Sequence, residues 1–249
     1  MGLRKPRSGP HGGLRVREAD ATDARPATPD SRPLRLAVLA SGRGSNLQAI
    51  LDAVAGGALD AEVAGVFSDR PDAVALQRAR DAGVRAEALP ATGFASRDDF
   101  DDAFFAKVDA TAPRIIVCAG YMRIIGARAV EARVGRMLNI HPSLLPAFKG
   151  LRTHRQALAA GVAEHGASVH FVTPDLDGGP VIAQARVPVL PGDDEAALAA
   201  RVLAREHPLL VATLRLLAAG RVTLRERTVH VDGRALDRPL QLSCNDRLA

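Results

Sequence analysis

The stretch LRLAVLASGRGSNLQAIL, residues 34–51, starts as an apolar strand, turns at two glycines and continues with helical periodicity. Gly42 and Gly44 allow a tight turn and bring backbone amides close to the start of the helix. Unpaired N–H groups and the helix dipole favour an anion there. The pattern therefore predicts a strand–turn–helix unit that holds a phosphate, with a tight turn that binds nothing as the alternative.

The glycine turn does not match the two common nucleotide-binding motifs. Leu47 occupies the third glycine position of G-x-G-x-x-G, and no Gly-Lys-Ser/Thr follows the turn. A dinucleotide fingerprint and a P-loop are thus both excluded.

Short apolar runs alternate with helical patterns along most of the chain, which is typical of βαβ units. We predict an α/β fold, with a Rossmann-like, mostly parallel sheet flanked by helices and antiparallel strands toward the C-terminus. Ser96 and Asp99 resemble a capping box at the start of one helix. The predicted strands are 34–40, 62–67, 84–89, 114–120, one ending at 141, 166–172 and 180–189, the helices 45–55, 71–82, 96–110, 153–160 and 193–218, and a hairpin covers 221–233.

Composition and charge narrow the class of partner. The 249 residues carry a net charge of +5, and aromatic residues make up only 3%. Residues 1–33 are rich in Pro, Gly, Arg and Asp, and we expect a disordered extension there or an upstream start-codon assignment. The remainder is then close to neutral and lacks aromatic stacking platforms, so we expect no nucleic-acid partner.

Cysteine usage and hydropathy indicate a cytoplasmic protein without a metal. Cys118 and Cys244 have neither disulfide-framework nor metal-ligand spacing, and Cys118 lies in an apolar run where packing is its expected role. No apolar run reaches the length of a membrane span, and the N-terminus lacks a secretory h-region.

The segment RMLNIHPSLLP, residues 136–146, predicts a short buried strand with polar groups at its end. Side chains alternate along a strand, so Asn139 and His141 point to the same face. Pro142 ends the strand because it cannot donate a ladder hydrogen bond. Ligands bind at the carboxyl ends of strands in such sheets, so the pair is a candidate for catalysis, with a buried structural histidine as the alternative.

Asp177 lies in DLDGGPV, residues 175–181, on a tight loop between the two later strands. A carboxylate beside an imidazole stabilises the protonated ring and fixes its orientation. Taken alone, Asp-Gly-Gly indicates a hairpin turn and nothing more.

Six stretches together resemble the folate-dependent glycinamide ribonucleotide formyltransferase family. The likeness runs from about Leu34 to Asp237, in order and at compatible spacing. It implies a Rossmann-like fold and formyl transfer from 10-formyltetrahydrofolate to the amine of glycinamide ribonucleotide, without a metal. The stretches are SGRGSNLQAIL, AGYMRIIG, LNIHPSLLP, THRQAL, HGASVHFVTPDLDGGPVIAQ and EH at 206–207.

The resemblance also assigns residues to three roles. It implies ribonucleotide binding by Gly44, Ser45, Asn46 and Glu206, and catalysis by Asn139, His141 and Asp177. It implies folate binding by Arg97, Met122, Arg123, Ile124, Ile125, Asn139, Thr173, Pro174, Asp175, Leu176 and Asp177. Lys149, Arg152 and Pro174 depart from the family pattern, which concerns folate affinity rather than the reaction.

The resemblance implies a formyltransferase domain over 34–237 and a C-terminal tail over 238–249. We expect small-molecule substrates only, and either a monomer or a homodimer. Formyltetrahydrofolate hydrolase is the nearest alternative, but it would bring an N-terminal regulatory domain, for which 33 residues are too few. Methionyl-tRNA formyltransferase would need a further C-terminal domain. A non-catalytic phosphate or nucleotide sensor would keep the glycine turn but would not need Asn139, His141 and Asp177 together.

Overall fold

The computed structural model of the chain describes residues 1–2 and 32–249, and residues 32–249 contain an eight-stranded sheet beside a small three-stranded one. The strand order in the large sheet is β11-β7-β6-β5-β4-β1-β2-β3, and in the small sheet β10-β9-β8. The elements are β1 Leu34–Leu39, α1 Ser45–Ala55, β2 Ala61–Ser68, α2 Val74–Asp81, β3 Ala86–Ala88, α3 Arg97–Asp109, β4 Ile115–Cys118, α4 Ala127–Glu131, β5 Met137–His141, α5 Thr153–Ala159, β6 Glu164–Phe171, β7 Val181–Pro188, α6 Glu195–Ala218, β8 Val222–Arg225, β9 Thr228–Val231, β10 Arg234–Ala235 and β11 Leu240–Gln241.

The strand directions confirm the predicted fold class. β1 to β5 pair in parallel, while β6 runs antiparallel to both β5 and β7. β8 and β9 form the predicted closing hairpin.

Each face of the sheet carries its own hydrophobic core, and the side chains of β1 point alternately into one core and the other. Leu36 and Val38 pack with the core that includes α1 and α6, and Ala37 and Leu39 pack with the phenylalanine-rich core of α3. A strand that is buried on both faces has a continuous apolar sequence, as residues 36–40 do.

Predicted helix starts were right where a cap was visible and wrong at α2. Ser96 caps α3, because its Oγ accepts the Asp99 backbone N–H at 3.1 Å. The expected helix over 71–82 begins only at Val74, since residues 71–72 form a turn. The Ala75 N–H donates to Gly42 O at 3.1 Å, so the glycine turn after β1 satisfies an early amide of α2.

Three short elements were not predicted: α4, β10 and β11. β11 lies within residues 238–249 and pairs in parallel with β7, so this segment supplies the edge strand of the large sheet. The expected disordered extension over residues 1–33 falls almost entirely outside the described residues. Within the part of the chain that is described, none of the helices combines the length and the apolar character needed to cross a membrane.

Candidate active site

A cavity of about 480 Å³ opens at the carboxyl ends of β4 and β5. The chain leaves β1 toward β2 on one side and later returns to β4 on the other, so strand order reverses beside this cavity. Open α/β sheets bind their ligands at such switch points. The lining residues come from the ends of these strands, from α1 and α6, and from the loops around 120–125, 150–154 and 172–177.

β5 delivers Asn139 and His141 to this cavity on one face, as the two-residue spacing predicts. The strand ends at His141, directly before Pro142. The His141 residue is only 6% exposed, so the sheet fixes its ring where the strand ends.

His170 fixes the orientation of the Asn139 amide. It lies opposite Asn139 in the antiparallel register of β5 and β6. Burial lowers the pKa of His170 to about 4, so the ring is neutral near pH 7. Its Nδ1 lies 2.9 Å from Phe171 O, an acceptor, so Nδ1 carries the hydrogen. The bare Nε2 therefore accepts from Asn139 Nδ2 at 3.1 Å, which leaves the second amide hydrogen of Asn139 available.

His141 has an oxygen beside each ring nitrogen. Its Nε2 lies 3.0 Å from Phe148 O, and its Nδ1 lies 3.5 Å from Asp177 Oδ2. A carbonyl and a carboxylate can only accept, so both contacts are used fully when both nitrogens carry hydrogen. Oxygen atoms of the protein thus lie near both ring nitrogens of His141.

Asp177 ties two loops to the imidazole. Its backbone has a φ of 45°, in the left-handed region, and its side chain is only 9% exposed. The Gly150 N–H donates to Asp177 Oδ2 at 2.8 Å, on the same oxygen that faces His141. The loop that follows β6 and the loop that follows β5 are therefore joined at the candidate site.

Asn46 and Glu206 meet at the far end of the cavity, where α1 packs against α6. Asn46 Nδ2 donates to Glu206 Oε2 at 2.8 Å. Burial raises the pKa of Glu206, and the Asn46 hydrogen bond opposes this in part. Asn46 Oδ1 is buried without a hydrogen-bond partner, which leaves an acceptor at the cavity wall.

The glycine turn is built as its sequence predicts. Gly44 precedes α1 with a φ of 72°, and a Cβ there would lie 2.8 Å from Ala75 Cα, so only glycine fits. No side chain caps α1, and the first turn contains no acidic residue. The first amides of α1 are thus left for an anion, although Asn46 lines the cavity while Gly44 and Ser45 do not.

Most residues expected at a folate site line the cavity together, and Arg97 is the exception. Arg97 starts α3 and lies beside Gly126, just past the lining segment 122–125. The exposed side chains of Met122, Ile124 and Leu176 give the mouth an apolar rim. The expected residues that line the cavity are Met122, Arg123, Ile124, Ile125, Asn139, Thr173, Pro174, Asp175, Leu176 and Asp177.

Sequence reasoning missed several residues of the site, His170 above all. Its alternation on β6 is readable from the sequence, but its pairing with Asn139 depends on the register between β5 and β6, which is not. Cys118 was expected to pack, and burial indeed raises the pKa of its thiol to about 12, but it also lines the cavity. Other lining residues that were not expected include Tyr121, Val130, Gly150, Leu151, His154 and Val172.

Comparison with known proteins identifies the family to which the chain belongs. A model of the formyl transferase family matches residues 34–214, which include β1, the glycine turn and the Asn139–His141 strand. The chain belongs to the formyl transferase family. Within it, a phosphoribosylglycinamide formyltransferase from Escherichia coli (strain K12) is 48% identical over 203 residues, covering 82% of this chain and 96% of the relative.

Solved structures of the formyl transferase family extend the likeness to three dimensions. A phosphoribosylglycinamide formyltransferase from Coxiella burnetii matches with a TM-score of 0.80 and 46% identity, over 82% of this chain and 96% of that one. A formyltetrahydrofolate deformylase from Pseudomonas syringae also matches, with a TM-score of 0.75 at 25% identity, over 81% of this chain and 66% of that one. The fold is thus shared by transferring and hydrolysing members.

Proposed function

We propose that this chain transfers the formyl group of 10-formyltetrahydrofolate to the amine of glycinamide ribonucleotide, a step of purine biosynthesis. The convergence of Asn139, His141 and Asp177 on one cavity carries this proposal. The same cavity reaches Asn46 in the first turn of α1. Relatives named phosphoribosylglycinamide formyltransferase, at 44–48% identity and over nine-tenths of their own length, support the choice of acceptor.

The end of the cavity near α1 would hold the ribonucleotide. The uncapped amides of Ser45 and Asn46 suit a phosphate, because they add hydrogen bonds to the positive end of the helix dipole. Asn46 Oδ1 needs a donor, and the Glu206 carboxylate beside it can accept from hydroxyl, amide or amine hydrogens of the substrate.

The other end would hold the folate, and its lining fits a flat, partly polar ring with an acidic tail. Met122 and Ile124 supply apolar surface at the mouth. Arg123 Nε is buried without a hydrogen-bond partner, and the guanidinium lies over the Phe100 ring at 4.4 Å. Such an orphaned donor at the wall fits an acceptor atom of the ligand. When bound, the folate supplies the activated formyl group.

Asn139 would stabilise the charge that develops as the amine attacks the formyl carbon. Negative charge grows on the formyl oxygen, and oriented donors in a water-poor site lower the barrier most effectively. The free amide hydrogen of Asn139 is such a donor, since His170 holds the other. We expect the formyl oxygen to compete with Phe148 O for the His141 Nε2–H.

Asp177 and His141 would manage the proton balance of the reaction. The attacking amine loses one proton, and the folate nitrogen gains one when its bond to the formyl carbon breaks. His141 can pass that proton directly or through water, and the Asp177 carboxylate stabilises the charged ring during the transfer. No net proton or electron enters or leaves.

The deciding experiment is a formyl-transfer assay with the whole chain, with and without glycinamide ribonucleotide. We expect tetrahydrofolate and formylated ribonucleotide to form in equal amounts, and only when the ribonucleotide is present. Tetrahydrofolate release at the same rate without the amine would identify a hydrolase instead. No folate turnover in either mixture would refute an enzymatic function of this site.

A further inference from the structure

One buried side chain joins the glycine turn before α1 to the segment that follows β4. Ser41 is 3% exposed and lies just after β1. Its Oγ accepts the Met122 N–H at 2.9 Å, and its own N–H donates to Gly120 O at 3.0 Å. Residues 120–122 are thus hydrogen-bonded to the residue that precedes Gly42.

Asp69 fixes the direction of the Ser41 hydroxyl. Ser41 Oγ–H donates to Asp69 Oδ1 at 2.5 Å, which uses the one hydrogen of the hydroxyl. A lone pair then remains in a fixed direction for the Met122 N–H. The charge of Asp69 also acts on the adjacent loop, since burial and then this carboxylate raise the pKa of Tyr121.

The position of Ser41 matters because the two proposed substrates lie on either side of it. The turn at 42–46 would hold the ribonucleotide phosphate, and the segment 122–125 would hold the folate. A ligand that holds the turn in place would also hold Ser41 in place, and through its hydroxyl the Met122 backbone. A ligand bound at 122–125 would in turn favour binding at the turn, because coupling between two binding sites is reciprocal.

We infer that Ser41, oriented by Asp69, is a positioning residue that couples the two substrate subsites, so that each substrate strengthens the binding of the other. This inference rests on the proposed function, which supplies the two ligands. It gives Ser41 a role in the energetics of the ternary complex without contact to either reacting atom.

The test is a calorimetric titration of the full chain with a folate analogue that has no transferable formyl group. The titration is run with and without saturating glycinamide ribonucleotide. In the unaltered protein the ribonucleotide should lower the Kd of the analogue about fivefold or more. In Ser41→Ala the ratio of the two Kd values should fall to about one, and Ser41→Thr, which keeps a hydroxyl, should restore it.

Ser68→Ala is the matched control. Ser68 is fully buried at the end of the neighbouring strand β2, and its Oγ accepts from the Arg70 N–H at 3.0 Å. This variant removes a hydroxyl of the same kind and should keep the coupling. Asp69→Ala offers a second route that leaves Ser41 in place, and it should also lower the ratio.

Each outcome decides one claim. A ratio in Ser41→Ala equal to that of the unaltered protein would overturn the coupling role of Ser41. A ratio of one in the unaltered protein would do the same. If neither ligand binds the unaltered protein, the proposed function itself fails, whereas binding of both without coupling leaves that function standing.

Discussion

Asn139 has two amide hydrogens, and the protein uses one of them to hold the group in place. The neutral His170 accepts that hydrogen because its own Nδ1–H is occupied by Phe171 O. A protonated His170 would have no lone pair to offer, so the burial that keeps its pKa near 4 also keeps the amide oriented. The position of the Asn139 amide therefore depends on that of His170.

Replacing Asn139 by alanine should lower kcat for formyl transfer on the order of 100-fold, because one oriented donor to the developing oxyanion is lost. Steady-state kinetics with both substrates measure the effect, and circular dichroism checks the fold. Asn245→Ala, at an exposed position near the C-terminus, is the control and should be unchanged. A kcat within threefold of the unaltered enzyme would remove Asn139 from the catalytic set.

Glu206 illustrates a cost in stability at a binding site. Its buried carboxylate has a raised pKa, so ionisation opposes folding. Because the pKa is raised in the folded state, the protein is most stable below the unfolded pKa, where Glu206 is protonated. This part of the stability is lost as the pH rises through the folded pKa. Above the folded pKa of Glu206 the unliganded protein therefore bears the full penalty.

Glu206→Gln should consequently raise the Tm at pH values above the folded pKa of Glu206, and each 1 kcal/mol gained corresponds to roughly 2–4 °C in a domain of this size. The gain should shrink as the pH falls toward the pKa of Glu206, since the unaltered protein then becomes neutral there as well. Thermal unfolding across pH 4–8 measures this, with Glu131→Gln at an exposed site as the control. A Tm below that of the unaltered protein at pH 7 would contradict the argument.

At the scale of single elements, the turn into α1 shows how one glycine sets the geometry of a site. Gly44 has left-handed backbone, and its Cα packs on Ala75 of α2. Gly57 has nearly the same backbone, with a φ of 68°, but an added Cβ would meet open space. A comparison of substitutions at the two glycines therefore separates the effect of backbone strain from the effect of a steric clash.

Gly44→Ala and Gly57→Ala should both lose about 1–2 kcal/mol of stability through the left-handed backbone, but only Gly44→Ala should impair function. Its Cβ would displace α2 or the turn, so we expect the KM for glycinamide ribonucleotide to rise at least tenfold. The KM for the folate should change less. Equal ribonucleotide KM values in the two variants would show that the turn does not hold this substrate.

Elements with local signals could be predicted, and those that depend on distant partners could not. The glycines before α1, the Ser96 cap of α3 and Pro142 after β5 are each visible in a few residues, and the structure agrees with all three. The start of α2 was wrong because it depends on a distant contact, the bond from the Ala75 N–H to a turn about thirty residues away. His170 was missed for the same kind of reason, since strand register is a tertiary property.

At the scale of the whole molecule, the site lies where the parallel and antiparallel parts of the sheet meet. β5 is the strand at which parallel pairing gives way to antiparallel pairing, because it pairs with β4 on one side and β6 on the other. Asn139 on β5 therefore has a neighbour from each half of the sheet, Cys118 from β4 and His170 from β6. A change that weakens the pairing of β6 and β7 should therefore also disturb His170, which orients Asn139.

The C-terminal segment supports that side of the sheet. β11 pairs with β7, and the Leu242 N–H donates to Gln184 O at 2.8 Å. Gln184 in turn donates to Leu145 O and Ser168 Oγ, beneath the loop that follows His141. Arg205 on α6 binds Ser243 O at 2.6 Å and so fastens the same segment from the helix side.

Ending the chain after Asp237 should therefore lower stability by about 2–3 kcal/mol, the order expected from removing the buried Leu242 side chain and unpairing one strand edge. The corresponding fall in Tm is roughly 5–10 °C. Arg247→Ala, which alters an exposed side chain of the same segment, should leave the Tm unchanged. Thermal unfolding compares the three proteins. A truncated protein with an unaltered Tm and kcat would show that the edge strand supports neither the sheet nor the loop that follows His141.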